Sequence, residues 1–407
     1  MTDYKKGWKE AERCLQADPS FSAWTHDQQK AFDLWTTRSD DRLLLFYPTG
    51  RGKTKASLGL LYSKMYMKTL VIAPPATHKA WETDARALNM EVIMMSAEKF
   101  RKKETRLPRD VPIIVDEVHL LGKHGSMGIT KLDRVAPRIP AIILASATPN
   151  YNDADRAYCI AHVLNPLSHR GGYVAWIYRH CETRANPFAT TPYVDGFLEF
   201  DSAADFLVSE GYTAYIEDDA EWKEEEFILA TSPEKESTRD EIIRYGYDRH
   251  RHKMIASDME RRHRLAFLDR VNPETNRLWD EVLEQLQKKL YKGKSKPWLL
   301  FCQHSTVAEA LYESLQAAGN SVYLITGKTT KKQLEAIKYQ YINDPNPARA
   351  LVGTSTLATG MDGLNTVCDR LLIFDDIEGD DSKRRQLIGR VLPRGTQQRS
   401  TYVAFAR

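Results

Sequence analysis

The stretch LLLFYPTGRGKT, residues 43–54, joins a short aliphatic run to a glycine-rich loop that ends in Gly-Lys-Thr. Similar aliphatic runs, each bounded by polar or turn residues, recur along the first 150 residues and are typical of buried parallel strands. The predicted strands cover residues 43–47, 69–74, 92–96, 112–116 and 141–148. Helix-length segments such as residues 53–66 and 78–88 separate them. This alternation predicts an α/β unit with a doubly wound parallel sheet.

The loop after the first strand has the chemistry of a phosphate site. Gly50 and Gly52 allow backbone N–H groups to wrap a phosphate, and Lys53 supplies a positive charge to it. The hydroxyl of the next residue can ligate Mg²⁺. The predicted nucleotide contacts are Thr49, Gly50, Arg51, Gly52, Lys53 and Thr54. The general pattern G-x-x-x-x-G-K-[ST] has a glycine where this chain has Tyr47, and a glycine-rich turn without a ligand is the alternative.

The α/β alternation returns in the last third of the chain. Residues 275–290 have the apolar spacing of an amphipathic helix. Predicted strands follow at residues 298–302, 321–326, 348–354, 370–375 and 400–406. The segment between the two halves mixes aromatic, polar and charged residues, and it predicts helical and irregular structure rather than a third sheet. We therefore expect domains at residues 1–165 and 273–407, with a linking elaboration at 166–272.

Composition excludes several classes of protein. The 407 residues are 42% hydrophobic and 28% charged, as in an ordinary globular protein with a core. The five cysteines are scattered, which argues against a disulfide framework, an iron–sulfur cluster and a zinc ribbon. The chain has no apolar run long enough for a membrane helix and no apolar signal core near Met1. A net charge of +3 is too small for a nonspecific polycation.

An acidic pair follows the fourth predicted strand, in IIVDEVH at residues 113–119. Asp116 is placed to hold Mg²⁺, and Glu117 is placed to orient and deprotonate the water that attacks a phosphate. The next strand ends in Ser146-Ala147-Thr148, which brings two hydroxyls toward the same edge of the sheet. Such a pair is common after a strand, but here it follows a phosphate loop by one or two strands.

These motifs, in this order and spacing, resemble those of superfamily 2 helicases and translocases of the DExH kind. The second half agrees: FCQHSTVAEAL (residues 301–311) resembles the entry to the second motor domain of that family. GTSTLATGMDGLN (residues 353–365) resembles the motif that contacts both nucleotide and nucleic acid, and QLIGRVLPR (residues 386–394) resembles the arginine-finger motif. The resemblance covers residues 24–149 and 273–406.

The resemblance implies two RecA-like domains in tandem, with ATP and Mg²⁺ bound in the cleft between them. Lys53, Asp116 and Glu117 are then catalytic, with Thr54 and Asp116 as metal ligands. Arg390 and Arg394 are implied to stabilise the γ-phosphate, and Gln28 and Asp362 to contact the nucleotide. The residues implied to couple hydrolysis to domain closure are His119, Ser146, Thr148 and Gln386.

The arginine-finger motif departs from the family pattern in its spacing. The second arginine usually follows the first by three residues, whereas Arg394 follows Arg390 by four, with Pro393 inserted. Both could still lie on one face of a helix, because positions i+3 and i+4 are neighbours of position i. Proline disfavours helical geometry at the preceding residue, so we expect the helix to end or kink there. Arg390 is therefore the stronger candidate for the finger.

The choice of nucleic acid rests on VIAPPATHKAWETDA, residues 71–85. It resembles a motif of DNA-directed members, including remodeller-like and phage branch-migration motors, and lacks the threonine–arginine–glutamate set of RNA-directed ones. The predicted contacts with nucleic acid lie mostly where loops follow the ends of β-strands. They are Thr77, Lys79, Trp81, Ser96, His304, Lys328 and Thr354. For Trp81, a buried helix-packing aromatic is an equal alternative.

The sequence thus predicts an ATP-driven DNA helicase or translocase acting on forks, junctions or duplex. Two alternatives stay open: a nucleic-acid-stimulated ATPase that displaces proteins without separating strands, and an RNA helicase. We expect a monomer without a membrane segment, located in the cytoplasm, or in the host-cell cytoplasm for a viral protein. Its expected partners are DNA in preference to RNA, and replication, recombination or transcription proteins.

Overall fold

A computed structural model describes residues 2–18, 21–48, 50–147, 153–167, 169, 171–186, 191–216, 222–227, 240–248, 253–255, 257, 260–261, 264–265, 284, 286, 288, 296–360, 363–374, 384, 387–392 and 401–406. Its contacts divide the chain into two compact units, Met1–Asp218 and Asp219–Arg407. The predicted boundaries at residues 165 and 272 stay predictions. Within the part of the chain that the structure describes, no helix combines the length and apolar character needed to cross a membrane.

The first unit is built on a six-stranded parallel sheet, with the strand order β3-β2-β4-β5-β1-β8. Its strands, together with those of a separate antiparallel β6–β7 pair, are β1 Arg42–Phe46, β2 Lys68–Ile72, β3 Glu91–Met95, β4 Ile113–Asp116, β5 Ile142–Ser146, β6 Cys181–Arg184, β7 Tyr193–Phe197 and β8 Thr213–Tyr215. Its helices are α1 Thr2–Leu15, α2 His26–Thr37, α3 Lys53–Ser63, α4 His78–Ala87, α5 Ala97–Arg101, α6 Met127–Val135, α7 Ala154–Leu164, α8 Gly172–His180 and α9 Ala203–Ser209.

Helices cover both faces of this sheet, which explains why the middle residues of its central strands are apolar. Leu44 and Phe46 of β1 belong to one buried cluster, and Leu43 and Leu45 belong to a cluster on the opposite face. Successive side chains of a strand point to opposite faces, so a strand buried on both sides has no polar positions to alternate with.

The second unit also holds a six-stranded parallel sheet, with the order β13-β14-β12-β15-β16-β9. Its strands, with a short antiparallel β10–β11 pair, are β9 Trp222–Phe227, β10 Tyr247–Asp248, β11 Lys253–Met254, β12 Trp298–Phe301, β13 Ser321–Ile325, β14 Arg349–Gly353, β15 Arg370–Ile373 and β16 Thr401–Ala406. Three helices with described bounds accompany it: α10 Ser305–Ala317, α11 Lys331–Asn343 and α12 Ser355–Gly360.

The predicted α/β fold with two parallel sheets is confirmed, and all ten predicted strands are present within one or two residues of their expected ends. The middle segment differs from the expectation. It supplies an edge strand to each sheet, β8 beside β1 and β9 beside β16. β8 has only three residues and β9 carries the charged sequence WKEEEF, so neither has the long apolar run typical of a central strand. Most of the helix predicted at residues 275–290 lies outside the described residues.

Candidate active site

The phosphate loop lies between the end of β1 and the start of α3, as the sequence predicts. Gly50 and Gly52 have positive φ angles of 85° and 79°, which favour glycine. A Cβ atom on Gly52 would lie only 2.4 Å from Nε2 of Gln28, so a larger residue here would also force the Gln28 side chain to move. Gly52 is the N-cap of α3, and the N–H groups of the first helical turn have no intrahelical acceptors. Such a helix start can bind an anion.

Tyr47, which stands where the general pattern has glycine, leaves the loop undisturbed. Its side chain is fully buried in the core, and its hydroxyl donates a hydrogen bond of 2.9 Å to the backbone oxygen of Asp27. Burial raises the pKa of the Tyr47 hydroxyl well above its ordinary value. The backbone oxygen of Tyr47 accepts a 3.0 Å hydrogen bond from Nζ of Lys53. The tyrosine therefore anchors the start of the loop to α2.

Gln28 supports the phosphate loop from the first turn of α2. Its Oε1 accepts from the backbone N–H of Thr25, and the Thr25 hydroxyl accepts from the backbone N–H of Gln28, forming a capping box. The same side chain places Nε2 3.5 Å from the oxygen of Arg51 and 3.4 Å from that of Gly52. Gln28 is only 3% exposed, so it is not an exposed helix-start glutamine. Its predicted contact with adenine stays a prediction.

The acidic pair lies at the same edge of the sheet as the phosphate loop. Asp116 is the last residue of β4, and the strand order places β5 between β4 and β1. Because neighbouring strands are about 4.8 Å apart, the ends of β4 and β1 are separated by roughly 10 Å. Ser146 ends the strand between them, and its backbone oxygen accepts from the backbone N–H of Tyr47 at 3.2 Å. The topology thus brings together three motifs that are up to 100 residues apart.

Burial dominates the electrostatics of Asp116. Removal from water, together with the neighbouring charge of Glu117, raises the pKa of its carboxyl to about 6. The positive charge of Lys53 and a hydrogen bond from the indole of Trp81 act in the opposite direction. A perturbed carboxylate next to a lysine and a second carboxylate is typical of a functional site.

Glu117 has a backbone conformation that is unusual for its residue type. Its φ and ψ angles are 52° and 59°, in the left-handed region, at the point where β4 ends and the 3₁₀ turn Val118–Leu121 begins. Such outliers are concentrated at functional sites. Its Oε2 atom lies 3.4 Å from Nδ1 of His119 and accepts no hydrogen bond within the described part of the chain. A buried carboxylate oxygen of this kind can accept a proton from water.

The residues present at this edge fit a magnesium ion bound together with a nucleotide. Asp116 offers a carboxylate and Thr54 a hydroxyl, and Mg²⁺ prefers such oxygen ligands, usually one or two from the protein with the rest from phosphate and water. The orphaned Oε2 of Glu117 fits a neighbouring role, because an acceptor of this kind can hydrogen-bond a water on the ion.

The raised pKa predicts that Asp116→Asn stabilises the protein at neutral pH, by about 3 kcal/mol. An unfolded aspartate has a pKa of about 3.9, whereas folded Asp116 has one of about 6. The folded state therefore binds the proton more tightly, and stability is lost as the pH rises through the folded pKa. The gain from asparagine should shrink below about pH 6 and vanish near pH 4. Denaturant unfolding of both proteins across this range checks it, and a pH-independent difference would contradict it.

Most residues predicted to contact nucleic acid follow strand ends, at the carboxyl edge of their own sheet. In the first unit, Lys79 is exposed near the start of α4, and Ser96 is the N-cap of α5, accepting from Lys99 N–H at 3.1 Å. Thr77 ends the 3₁₀ turn Pro75–Thr77 after β2. In the second unit, His304 is the N-cap of α10, and Lys328 is exposed after β13, with its ammonium 2.9 Å from Glu309.

Two of the predicted contacts differ from the expectation, because their side chains are buried. Trp81 is fully buried, and its indole N–H donates a 3.2 Å hydrogen bond to Oδ2 of Asp116. The structure thus agrees with the alternative of a helix-packing aromatic. Thr354 is only 5% exposed at the end of β14. Neither side chain is exposed enough to contact nucleic acid.

In the arginine-finger motif, the structure describes Arg390 but not Arg394. Leu387, Ile388 and Val391 are buried in the core of the second unit, and Arg390 is half-buried beside them. The backbone N–H groups of Arg390 and Val391 bond to oxygens three residues earlier, which is a turn rather than a continuing helix. Thr49, Thr148, Asp362, Gln386 and Arg394 carry predicted roles but lie outside the described residues.

Lys55 is a structural residue of this site that the sequence did not identify. Its ammonium lies 2.8 Å from Asp18 and 3.3 Å from Asp84, so it ties α3 to the segment after α1 and to α4. Burial lowers the Lys55 pKa, but the hydrogen bonds and charges of Asp18 and Asp84 outweigh it and hold the pKa above its ordinary value. Only its position directly after Thr54 could have suggested this role.

No family model matches the chain, and no curated protein matches it significantly. Solved structures match the chain over most of its length. Saccharomyces cerevisiae Dbp5 bound to RNA and ADP–BeF3 has a TM-score of 0.56 and 14% identity, over 99% of this chain and 89% of that chain. The Sulfolobus solfataricus SWI2/SNF2 ATPase core in complex with dsDNA has a TM-score of 0.41 and 15% identity, over 95% and 88% of the two chains.

The likeness to Dbp5 defines the fold class. The chain contains two RecA-like α/β units in tandem, the fold that it shares with Dbp5.

Proposed function

We propose that this protein is a nucleic-acid-stimulated ATPase that moves on or remodels DNA. The observation that carries the proposal is the common edge of the first sheet, where the glycine loop after β1 and the acidic pair after β4 lie two strands apart, with the charge of Lys53 acting on Asp116. A helix N-terminus, a lysine and a carboxylate pair form the minimum set for binding and hydrolysing a nucleoside triphosphate.

Each residue of the set has a distinct role in the proposal. The backbone N–H groups at the start of α3 and the ammonium of Lys53 hold the phosphates. Thr54 and Asp116 hold Mg²⁺, which neutralises charge on the phosphate oxygens when bound. Glu117 orients the attacking water and takes its proton, and the buried position of the pair strengthens these interactions. His119, 3.4 Å from the Glu117 carboxylate, helps to fix that side chain.

Nucleic acid is the proposed activator, because polar and basic residues follow the strand ends in both units. Thr77, Lys79 and Ser96 are the candidates in the first unit, and His304 and Lys328 in the second. We propose DNA over RNA on the resemblance of residues 71–85 to the motif of DNA-directed motors. The RNA helicase alternative gains support from Dbp5, which was solved with RNA.

The proposal is tested by ATP turnover with equal lengths of single-stranded DNA, duplex DNA and RNA. We expect DNA to stimulate more than RNA, and the affinity for DNA to fall with rising salt, because the contacts are mainly to phosphates. Stimulation by RNA equal to or greater than that by DNA would favour the RNA helicase. Stimulation without strand separation in an unwinding assay would favour duplex translocation or protein displacement.

Arg390 and Arg394 are expected to differ in their importance for turnover. We expect Arg390→Ala to reduce turnover at least about tenfold more than Arg394→Ala, because arginine fingers contribute ~10³-fold or more and Pro393 separates Arg394 from the preceding turn. ATP affinity should be largely retained in both variants. Single-turnover hydrolysis and nucleotide titration of the two proteins check this, and equal, severe losses would mean that the extra proline is accommodated.

A further inference from the structure

Helix α4 contacts the candidate active site in two places. Trp81 crosses the core from α4, and its indole N–H donates to Oδ2 of Asp116 at 3.2 Å, linking residues 35 positions apart. One turn later, the carboxylate of Asp84 lies 3.3 Å from Nζ of Lys55, in the first turn of α3. The same short helix is therefore bonded to the acidic pair and to the helix that begins at the phosphate loop.

The start of α4 lies at the edge where nucleic acid is proposed to bind. Lys79 is exposed, whereas Trp81 is fully buried. Two residues along a helix correspond to a rotation of about 200°, so these side chains lie on opposite faces. The preceding turn is held by its own hydrogen bonds. The Thr77 hydroxyl donates to the backbone oxygen of Pro74 at 2.9 Å, and Nε2 of His78 lies 3.1 Å from the backbone oxygen of Ala73. Nucleic acid bound here would therefore contact a helix whose start is fixed by hydrogen bonds.

We propose that Trp81 is a positioning residue that couples nucleic-acid binding at the start of α4 to the acidic pair. Its indole N–H holds one oxygen of Asp116 and so fixes the rotation of that carboxylate. A small shift of α4 on strand binding changes the position of the indole and, with it, the carboxylate. The inference rests on the proposed function, because it assumes that nucleic acid stimulates ATP hydrolysis in this unit.

Trp81 differs from another buried tryptophan of the same core in the partner of its indole N–H. Buried polar groups are usually hydrogen-bonded, and the partner here is the carboxylate of the candidate metal ligand. Trp35 provides the contrast. It is also fully buried in the same core, yet its indole N–H has no hydrogen-bond partner within the described residues.

The test compares wild type with Trp81→Phe and the matched control Trp35→Phe. Both substitutions keep an aromatic ring and remove an indole N–H, but only the first removes a hydrogen bond to the site. We expect Trp81→Phe to lower the stimulation of ATP turnover by single-stranded DNA about tenfold or more, as for loss of a hydrogen bond to a charged group. DNA affinity should stay within about threefold of wild type, and Trp35→Phe should keep the stimulation.

A binding measurement gives a readout that is independent of turnover. A fluorescent ATP analogue is titrated with Mg²⁺ in the presence and absence of the oligonucleotide. In wild type we expect the oligonucleotide to lower the Mg²⁺ concentration needed for nucleotide binding, since coupled sites affect each other reciprocally. In Trp81→Phe this shift should disappear, whereas Trp35→Phe should retain it.

Hydrogen exchange on the wild-type protein covers the case in which Trp81→Phe does not fold. Oligonucleotide binding should change the exchange of backbone amides in α4 and also in residues 116–121. A change confined to α4 would overturn the inference. Wild-type stimulation in Trp81→Phe, or an equal loss in Trp35→Phe, would also overturn it while leaving the proposed function intact. Absence of any stimulation of the wild-type protein by the oligonucleotide would overturn both the inference and the proposed function. The wild-type measurement therefore distinguishes failure of the proposed function from failure of the inference alone.

Discussion

Lys53→Ala is expected to reduce ATP turnover to background while the affinity for nucleic acid stays within about threefold of wild type. The Lys53 ammonium is the positive charge that the first turn of α3 brings to the phosphate loop, and it acts electrostatically on Asp116. Removal of one preorganised charge or donor from a phosphate or oxyanion site costs on the order of 10²–10³ in rate. The residues proposed to bind the strand lie on other loops, so their contacts should persist.

The folded protein should tolerate this change. Within the described residues, Nζ of Lys53 makes one hydrogen bond, to the backbone oxygen of Tyr47, so the substitution removes a single side-chain hydrogen bond. Lys68→Ala provides a matched control, because Lys68 is an exposed lysine of the same unit whose ammonium pairs with Glu91 at the other end of the sheet. Near wild-type turnover in a folded Lys53→Ala protein would contradict the phosphate-loop assignment.

Glu117→Gln is expected to slow hydrolysis by about 10²–10⁴-fold, the usual contribution of a general base, and to leave ATP binding intact. Glutamine has the same shape and the same left-handed backbone cost as glutamate, so the chain path between β4 and the following turn should not change. Asp116 stays available for the metal ion. The variant should therefore accumulate with ATP bound and bind DNA at least as well as wild type.

Nucleotide titration and single-turnover hydrolysis separate the two roles of the acidic pair. In Glu117→Gln the affinity for the ATP analogue should be unchanged and the rate constant for hydrolysis low. In Asp116→Asn, by contrast, the dependence of nucleotide binding on Mg²⁺ should also weaken, in addition to the loss of hydrolysis. Loss of ATP binding in Glu117→Gln, with hydrolysis of the residual bound ATP unaffected, would show that the division of roles is wrong.

The sequence predicts the strands of both sheets because each is a short aliphatic run buried on two faces, and such runs have few alternative structures. It does not predict β8 and β9, since edge strands need neither an apolar run nor a long one. The loop residues Gly50 and Gly52 are predicted from local geometry, because their positive φ angles are sterically unfavourable for other residues.

Other features of the site depend on contacts distant in sequence and could not be predicted. Tyr47 violates the phosphate-loop pattern, yet its side chain enters the core and its hydroxyl bonds to α2. Gln28 is recognisable as a helix-start residue, but its contact with the loop at Gly52 depends on how α2 packs. Trp81 is assigned to nucleic acid from its motif, and only the packing of α4 reveals its bond to Asp116.

The central claim is that the edge formed by the phosphate loop and the acidic pair hydrolyses ATP under the control of nucleic acid. The most direct test is phosphate release by the purified wild-type protein with saturating ATP and Mg²⁺, measured with and without single-stranded DNA. We expect Mg²⁺-dependent turnover that DNA raises at least about tenfold, which corresponds to lowering the activation free energy by about 1.4 kcal/mol. Turnover that is absent under both conditions, or that DNA leaves unchanged, would contradict the claim.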